Sequence, residues 1–256
     1  MIETKSHSQL ETMDRVNRVV RVILDELAAM VRPGISTGEL SEHAERRLAE
    51  LGAQPAFKGY PHPEGGPSFP AVLCTSVNDE IVHGIPSRGR VVKEGDILSL
   101  DFGACIDGLY GDAAVTVPVG RVDRDALRLI DVTRESLMRG IDQVRPGKRI
   151  LDIAAAVQGH AEAEGFSVVR SFVGHGIGRR LHEDPPVPNF VDRGPNPRLT
   201  PGMVLAIEPM ITAGTFDVEM GNDQWTARTR DHRLSAHFEL SVAVTPEGPW
   251  VLGNPA

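Results

Sequence analysis

Cysteine is nearly missing from this sequence. Two residues in 256, Cys74 and Cys105, make no disulfide framework, so a reducing cytoplasm is the expected compartment. Long apolar runs are missing too. No stretch approaches the roughly 18 residues that span a bilayer. Residues 1–15 are polar and carry no apolar leader core, so no membrane association is expected. Excess positive charge is also lacking. Lys and Arg number 27 against 35 Asp and Glu, a net charge of -8, and no basic stripe stands out. Nucleic acid is therefore not an expected partner. Low complexity is confined to short Pro/Gly clusters such as 61–70, PHPEGGPSFP. What remains is the composition of an ordinary globular protein, large enough for one domain.

The informative stretch is 98–112, LSLDFGACIDGLYGD. Leu98, Leu100 and Phe102 alternate with Ser99, Asp101 and Gly103, the period of a strand. Asp107-Gly108 marks a hairpin turn. Asp112 then opens a second strand, 113–117. A hairpin brings Asp101 and Asp112 side by side. Two neighbouring carboxylates repel, and a divalent cation between them removes that penalty. The pair alone is equally well read as two unrelated surface acids.

The chain contains itself twice. Val31-Arg32-Pro33-Gly34 recurs as Val144-Arg145-Pro146-Gly147. Leu40, Ala44, Leu48 and Gly52 then match Ile153, Val157, Ala161 and Gly165. Later, 95–101 (GDILSLD) matches 202–208 (GMVLAIE), each ending on an acid. These repeats predict two α+β halves, about 8–122 and 123–256, packed about a pseudo-twofold axis within a single catalytic domain, 1–256. Asp101 and Glu208 should then meet near that axis.

Periodicity predicts helices over 8–31, 36–52, 123–144 and 150–164. Ser36 with Glu39 reads as a capping box. Strands are predicted over 71–75, 204–210 and 235–245, the last being the final strand. Glu208 and Glu239 each lie in an apolar strand, where an unpaired acid is costly to bury. His237 should share the face of Glu239. His83 sits at a strand end before Gly84-Ile85-Pro86, and a lone histidine there is more often structural. In 174–185, GHGIGRRLHEDP, His175 and His182 stand among glycines that let backbone approach a bound group. A metal ligand plus an accessory histidine fits this segment better than a phosphate cradle. Asp101, Asp112, His175, Glu208 and Glu239 thus form a candidate ligand set with four negative charges. Two divalent cations would neutralise it and hold a bridging hydroxide, the two-metal hydrolytic arrangement.

NDEIVHGIP, LSLDFGACIDGLYGD, GHGIGRRLHEDP, VLAIEPM and SAHFELSVAVT together resemble the type I methionine aminopeptidases, whose fold is the pita-bread fold. The resemblance covers about 10–250. It implies antiparallel sheets around a central dinuclear metal site. Asp101 would chelate one metal, Asp112 and Glu239 would bridge both, and His175 and Glu208 would complete the other. The metals would be two divalent ions, of cobalt, manganese, iron or zinc. A metal-bridging water would attack the scissile carbonyl, with Glu208 as proton acceptor. His182 would contact the carbonyl oxygen, and His83 would lie near the scissile nitrogen. Tyr60, Phe69, Cys74, Leu181 and Trp225 would line the methionine pocket. The implied reaction is removal of the initiator methionine from nascent proteins and peptides when the second residue is small. The implied setting is a monomer in the cytoplasm, acting near the ribosome.

Several positions depart from the family pattern. The 61–70 loop is longer than usual. His237 replaces a frequent glutamine and Leu240 a common histidine. Two other readings are a proline-dipeptide or Xaa-Pro hydrolase of the same fold, and a peptide-binding relative without catalysis. The match at Trp225 favours methionine over the first. The complete ligand set and both accessory histidines disfavour the second. The 31-residue step from Glu208 to Glu239 leaves no room for the helical insertion of type II enzymes.

Overall fold

A computed structural model describes residues 2–254; residues 1, 255 and 256, at the ends of the expected single domain, lie outside it. Helix α1 spans His7–Met30. Its N-terminus is closed by a reciprocal pair, Gln9 N–H donating to Ser6 Oγ and Ser6 N–H donating to Gln9 Oε1. Helix α2 spans Thr37–Glu50, with the expected Ser36–Glu39 box formed. Helices α3 (Arg124–Ile141) and α4 (Ile150–Ala163) follow in the second half. Helices α2 and α4 are both 14 residues long. Isolated bridges tie Ser36 to Val91 and Arg149 to Arg198, just before each of these two helices. The two helices that the sequence matched to each other thus begin in the same way.

Nine antiparallel strands form the main sheet. The hairpin is longer than its turn signal required, pairing Ile97–Ile106 with Leu109–Pro118. Leu98, Leu100 and Phe102 point to α1 and α2 and share one apolar core with them. Leu205, Ile207, Val242 and Val244 form a second core with α3 and α4. Strand alternation sends the intervening residues to the opposite face. The strand Glu239–Thr245 joins the halves, pairing with Leu109–Pro118 on one side and Val204–Ile207 on the other. One sheet therefore runs through both halves.

Two predicted strands are each broken in the structure. The expected 204–210 strand divides into Val204–Ile207 and Met210–Thr212. The expected 235–245 strand divides into Ser235–His237 and Glu239–Thr245. The first piece and the last belong to the main sheet, while Met210–Thr212 and Ser235–His237 pair in a separate three-stranded sheet. Pro209 has no N–H to give to a ladder, and Phe238 stands opposite it, its N–H donating to the Pro209 carbonyl. Both segments change sheet at this point, and Glu208 and Glu239 sit beside the change. The chain also adds a strand beyond the one expected to be last, Gly248–Val251.

Candidate active site

Register explains why the acids converge. Asp101 pairs with Ala114, and Asp112 with Gly103, so the two are diagonal neighbours on one face. Glu239 also pairs with Ala114, from the other side. His175 and Ser241 both pair with Ala206, which shares its face with Glu208. All five candidate ligands therefore face away from the helices. Donor atoms of Asp112, His175 and Glu239 lie within 4.8 Å of one another, as do those of Glu208, His237 and Glu239. His175 Nε2 is 3.5 Å from Glu208 Oε1. Its Nδ1–H donates to the Gly176 carbonyl at 2.9 Å, which fixes the ring and leaves the Nε2 lone pair toward the acids.

The glycines around His175 serve the sheet rather than a bound group, contrary to the sequence-based expectation. A Cβ on Gly174 would lie 2.3 Å from the Ala206 carbonyl oxygen, and one on Gly176 would lie 2.2 Å from that of Asp184. They let neighbouring strands close on both sides of a candidate ligand.

A cavity of about 350 Å³ opens over this face. Asp101, Asp112, His175, Glu208 and Glu239 line it together with His83, His182, Tyr60, Phe69, Cys74, Leu181 and Trp225. The five candidate ligands, the two accessory histidines and the five expected pocket residues thus border one space, while His237 and Leu240 do not line it. Phe57 and Phe172 also border it and were not anticipated, and Pro63 reaches it from the 61–70 loop, which was expected beside the pocket. His83 adopts φ +61, a left-handed conformation that costs a non-glycine residue about 1–3 kcal/mol. Its ring stands edge-on to Phe172 and Trp225. Trp225 is held by a hydrogen bond from Nε1 to the Pro67 carbonyl, 2.8 Å, and by edge contact with His62. The long 61–70 loop thus forms part of the pocket's frame. Tyr60 Oη lies 2.6 Å from His182 Nδ1.

Burial dominates the electrostatics. It raises Asp101 to about 7, offset in part by His237, and Glu208 to about 8. Burial and mutual repulsion lift Asp112 and Glu239 well above the usual carboxylate range. The same burial lowers His83 to about 4 and His175 to about 3, so both imidazoles are neutral at pH 7. Burial and the surrounding acids push the Cys74 thiol up, leaving an unreactive lining group.

Asp101 Oδ1, Asp112 Oδ1 and Glu239 Oε1 are buried and accept no hydrogen bond. Buried polar atoms are nearly always satisfied. Oxygen acceptors with one oriented imidazole nitrogen are a donor set for a divalent cation, so these residues fit a metal. The model of Metallopeptidase family M24 matches residues 11–246.

The chain belongs to metallopeptidase family M24.

Within the family it groups with the methionine aminopeptidases. It is 46% identical to Methionine aminopeptidase 1 of Bacillus subtilis (strain 168) over 248 residues, 97% of each chain. The crystal structure of methionine aminopeptidase from Thermotoga maritima matches it with a TM-score of 0.94 at 42% identity, covering 100% of both chains. The fold reaches further than this group. The Xaa-Pro dipeptidase from Bacillus anthracis shares it with a TM-score of 0.77 at 21% identity, over 99% of this chain and 62% of that one.

Proposed function

We propose that this M24 chain is a methionine aminopeptidase that releases N-terminal methionine from peptides and nascent proteins when the second residue is small. The observation that carries the reading is the cavity. Four carboxylates and one oriented imidazole form one part of its lining, and aromatic and apolar side chains form the rest. Asp101, Asp112, His175, Glu208 and Glu239 would hold two divalent ions. Bound there, such ions supply Lewis acidity and a water acidic enough to be a nucleophile near neutral pH.

The remaining roles fall to this chain's own groups. Glu208 takes a proton from the attacking water and passes it toward the leaving amine. With the Tyr60 O–H donating a hydrogen bond to His182 Nδ1, the ring N–H of His182 is on Nε2. That N–H donates to the carbonyl oxygen as charge develops on it. Neutral His83 meets the amine side of the scissile bond. Trp225, Phe69, Tyr60, Leu181 and Cys74 receive the methionine side chain, whose thioether packs well on aromatic edges. A bulky second residue would crowd the carboxylate wall. The natural substrates are nascent N-termini met near the ribosome in the cytoplasm, and the enzyme acts as a monomer.

The test is release of methionine from Met-Ala-Ser by protein stripped with chelator and then titrated with manganese or cobalt. Metal-dependent release is expected, with Met-Leu-Ser cleaved far more slowly and an Ala-Pro peptide not at all. Asp112→Asn should abolish it. Cleavage of the Ala-Pro peptide alone would move the chain to the proline-peptidase branch.

A further inference from the structure

His237 is the one buried imidazole at the site with no partner. It is 1% exposed, and neither Nδ1 nor Nε2 makes a hydrogen bond. Leaving such a group unsatisfied costs about 1–3 kcal/mol. Its backbone, by contrast, is held firmly. The Thr116 hydroxyl accepts from the His237 N–H at 2.9 Å and donates to its carbonyl at 2.8 Å. Ser99 Oγ, 2.8 Å away, therefore donates to Thr116. A side chain without partners thus stands on a fixed main chain.

Its Nε2 lies 3.7 Å from Glu208 Oε2. The other oxygen, Oε1, faces His175 Nε2 at 3.5 Å. Each oxygen of Glu208 therefore faces its own imidazole. Two donors each about 2.0–2.2 Å from one ion stand roughly 3–4 Å apart. Both separations are those of ligands sharing an ion, and both exceed a hydrogen bond.

We propose that His237 is a sixth protein ligand of the metal centre, giving it a second imidazole donor. The inference rests on the metallopeptidase reading and adds to it a bias in metal choice. Imidazole suits zinc, cobalt, nickel and iron, whereas oxygen donors suit manganese. The second nitrogen should favour the former group.

The test measures binding rather than turnover. X-ray absorption of the wild-type protein loaded with two zinc or cobalt ions should average one imidazole per ion, twice the value for His237→Gln. Calorimetric titration of His237→Gln should show zinc and cobalt affinity reduced by about tenfold or more, with manganese affinity changed less. Thermal unfolding without metal checks that the variant is folded. One imidazole for every two bound ions in the wild-type spectrum overturns the inference, whatever the variant does. Unchanged zinc and cobalt affinity in a folded His237→Gln overturns it too, and leaves the aminopeptidase reading standing. A wild-type protein that takes up no metal overturns both.

Discussion

In the proposed mechanism the Tyr60 hydroxyl donates to His182 Nδ1 and holds the ring proton on Nε2. Without the Tyr60 hydroxyl both tautomers are open to the ring, and only one donates from Nε2. Tyr60→Phe should therefore lower kcat on Met-Ala-Ser by about tenfold, the scale of one hydrogen bond of roughly 1.4 kcal/mol. KM should move much less. Steady-state kinetics at matched metal content would check this, and an unchanged kcat would remove Tyr60 from the mechanism. The site was legible in the sequence where chemistry broke a pattern. Glu208 and Glu239 stand out because an acid interrupts an apolar strand, and Asp101 and Asp112 because they flank a hairpin. Phe57 and Phe172 were not legible, because an apolar residue in a loop looks the same whether it lines a pocket or fills a core. His237 showed its face but not its missing partners, which only the packed structure reveals.

Among the elements, the helices were readable almost to the residue, because each has a wide apolar stripe and two begin at a reciprocal cap. The strands carrying the ligands were not. An apolar run looks continuous even where it leaves one sheet for another, and the break at Phe238 has no local signal, since it follows from Pro209 across the ladder. Beside this crossing, the Thr116 hydroxyl is the clamp on the Ser235–His237 strand. Thr116→Val keeps the shape and removes the hydroxyl, leaving the His237 N–H and carbonyl buried without it. Urea unfolding should show a loss of about 1–3 kcal/mol. A loss within a few tenths would mean that the strand is held by Met210–Thr212 alone.

For the molecule as a whole, the site opposes folding unless cations fill it. Asp101 and Glu208 titrate near 7 and 8 in the folded chain, against 3.8 and 4.5 when free. Between those values the folded chain holds protons that the unfolded chain has released, so stability falls as pH rises. His83 and His175 act in the other sense. They are lowered from 6.5 to about 4 and 3, so below pH 6.5 the unfolded chain binds more protons and stability rises with pH. The two trends oppose each other in acid, and of these four groups only the carboxylates still act from pH 6.5 to 8. The melting temperature of chelator-stripped protein should fall across that interval. Saturating metal should remove the fall, because bound ligands stay deprotonated. A rising melting temperature of the stripped protein over the same range would contradict this picture of the site.

The seam strand Glu239–Thr245 also has a consequence in time. A chain emerges from synthesis N-terminal end first, and its early portions begin to fold as they appear. The hairpin with Asp101 and Asp112 has its own helices and its own core, so it can form early. Its free edge along Leu109–Pro118 must then wait for a strand more than a hundred residues away. Until Glu239 arrives the main sheet does not run through both halves and the candidate ligand set is incomplete. The catalyst is thus switched on by its own completion, and an unfinished copy is kept from cutting by what it has yet to receive.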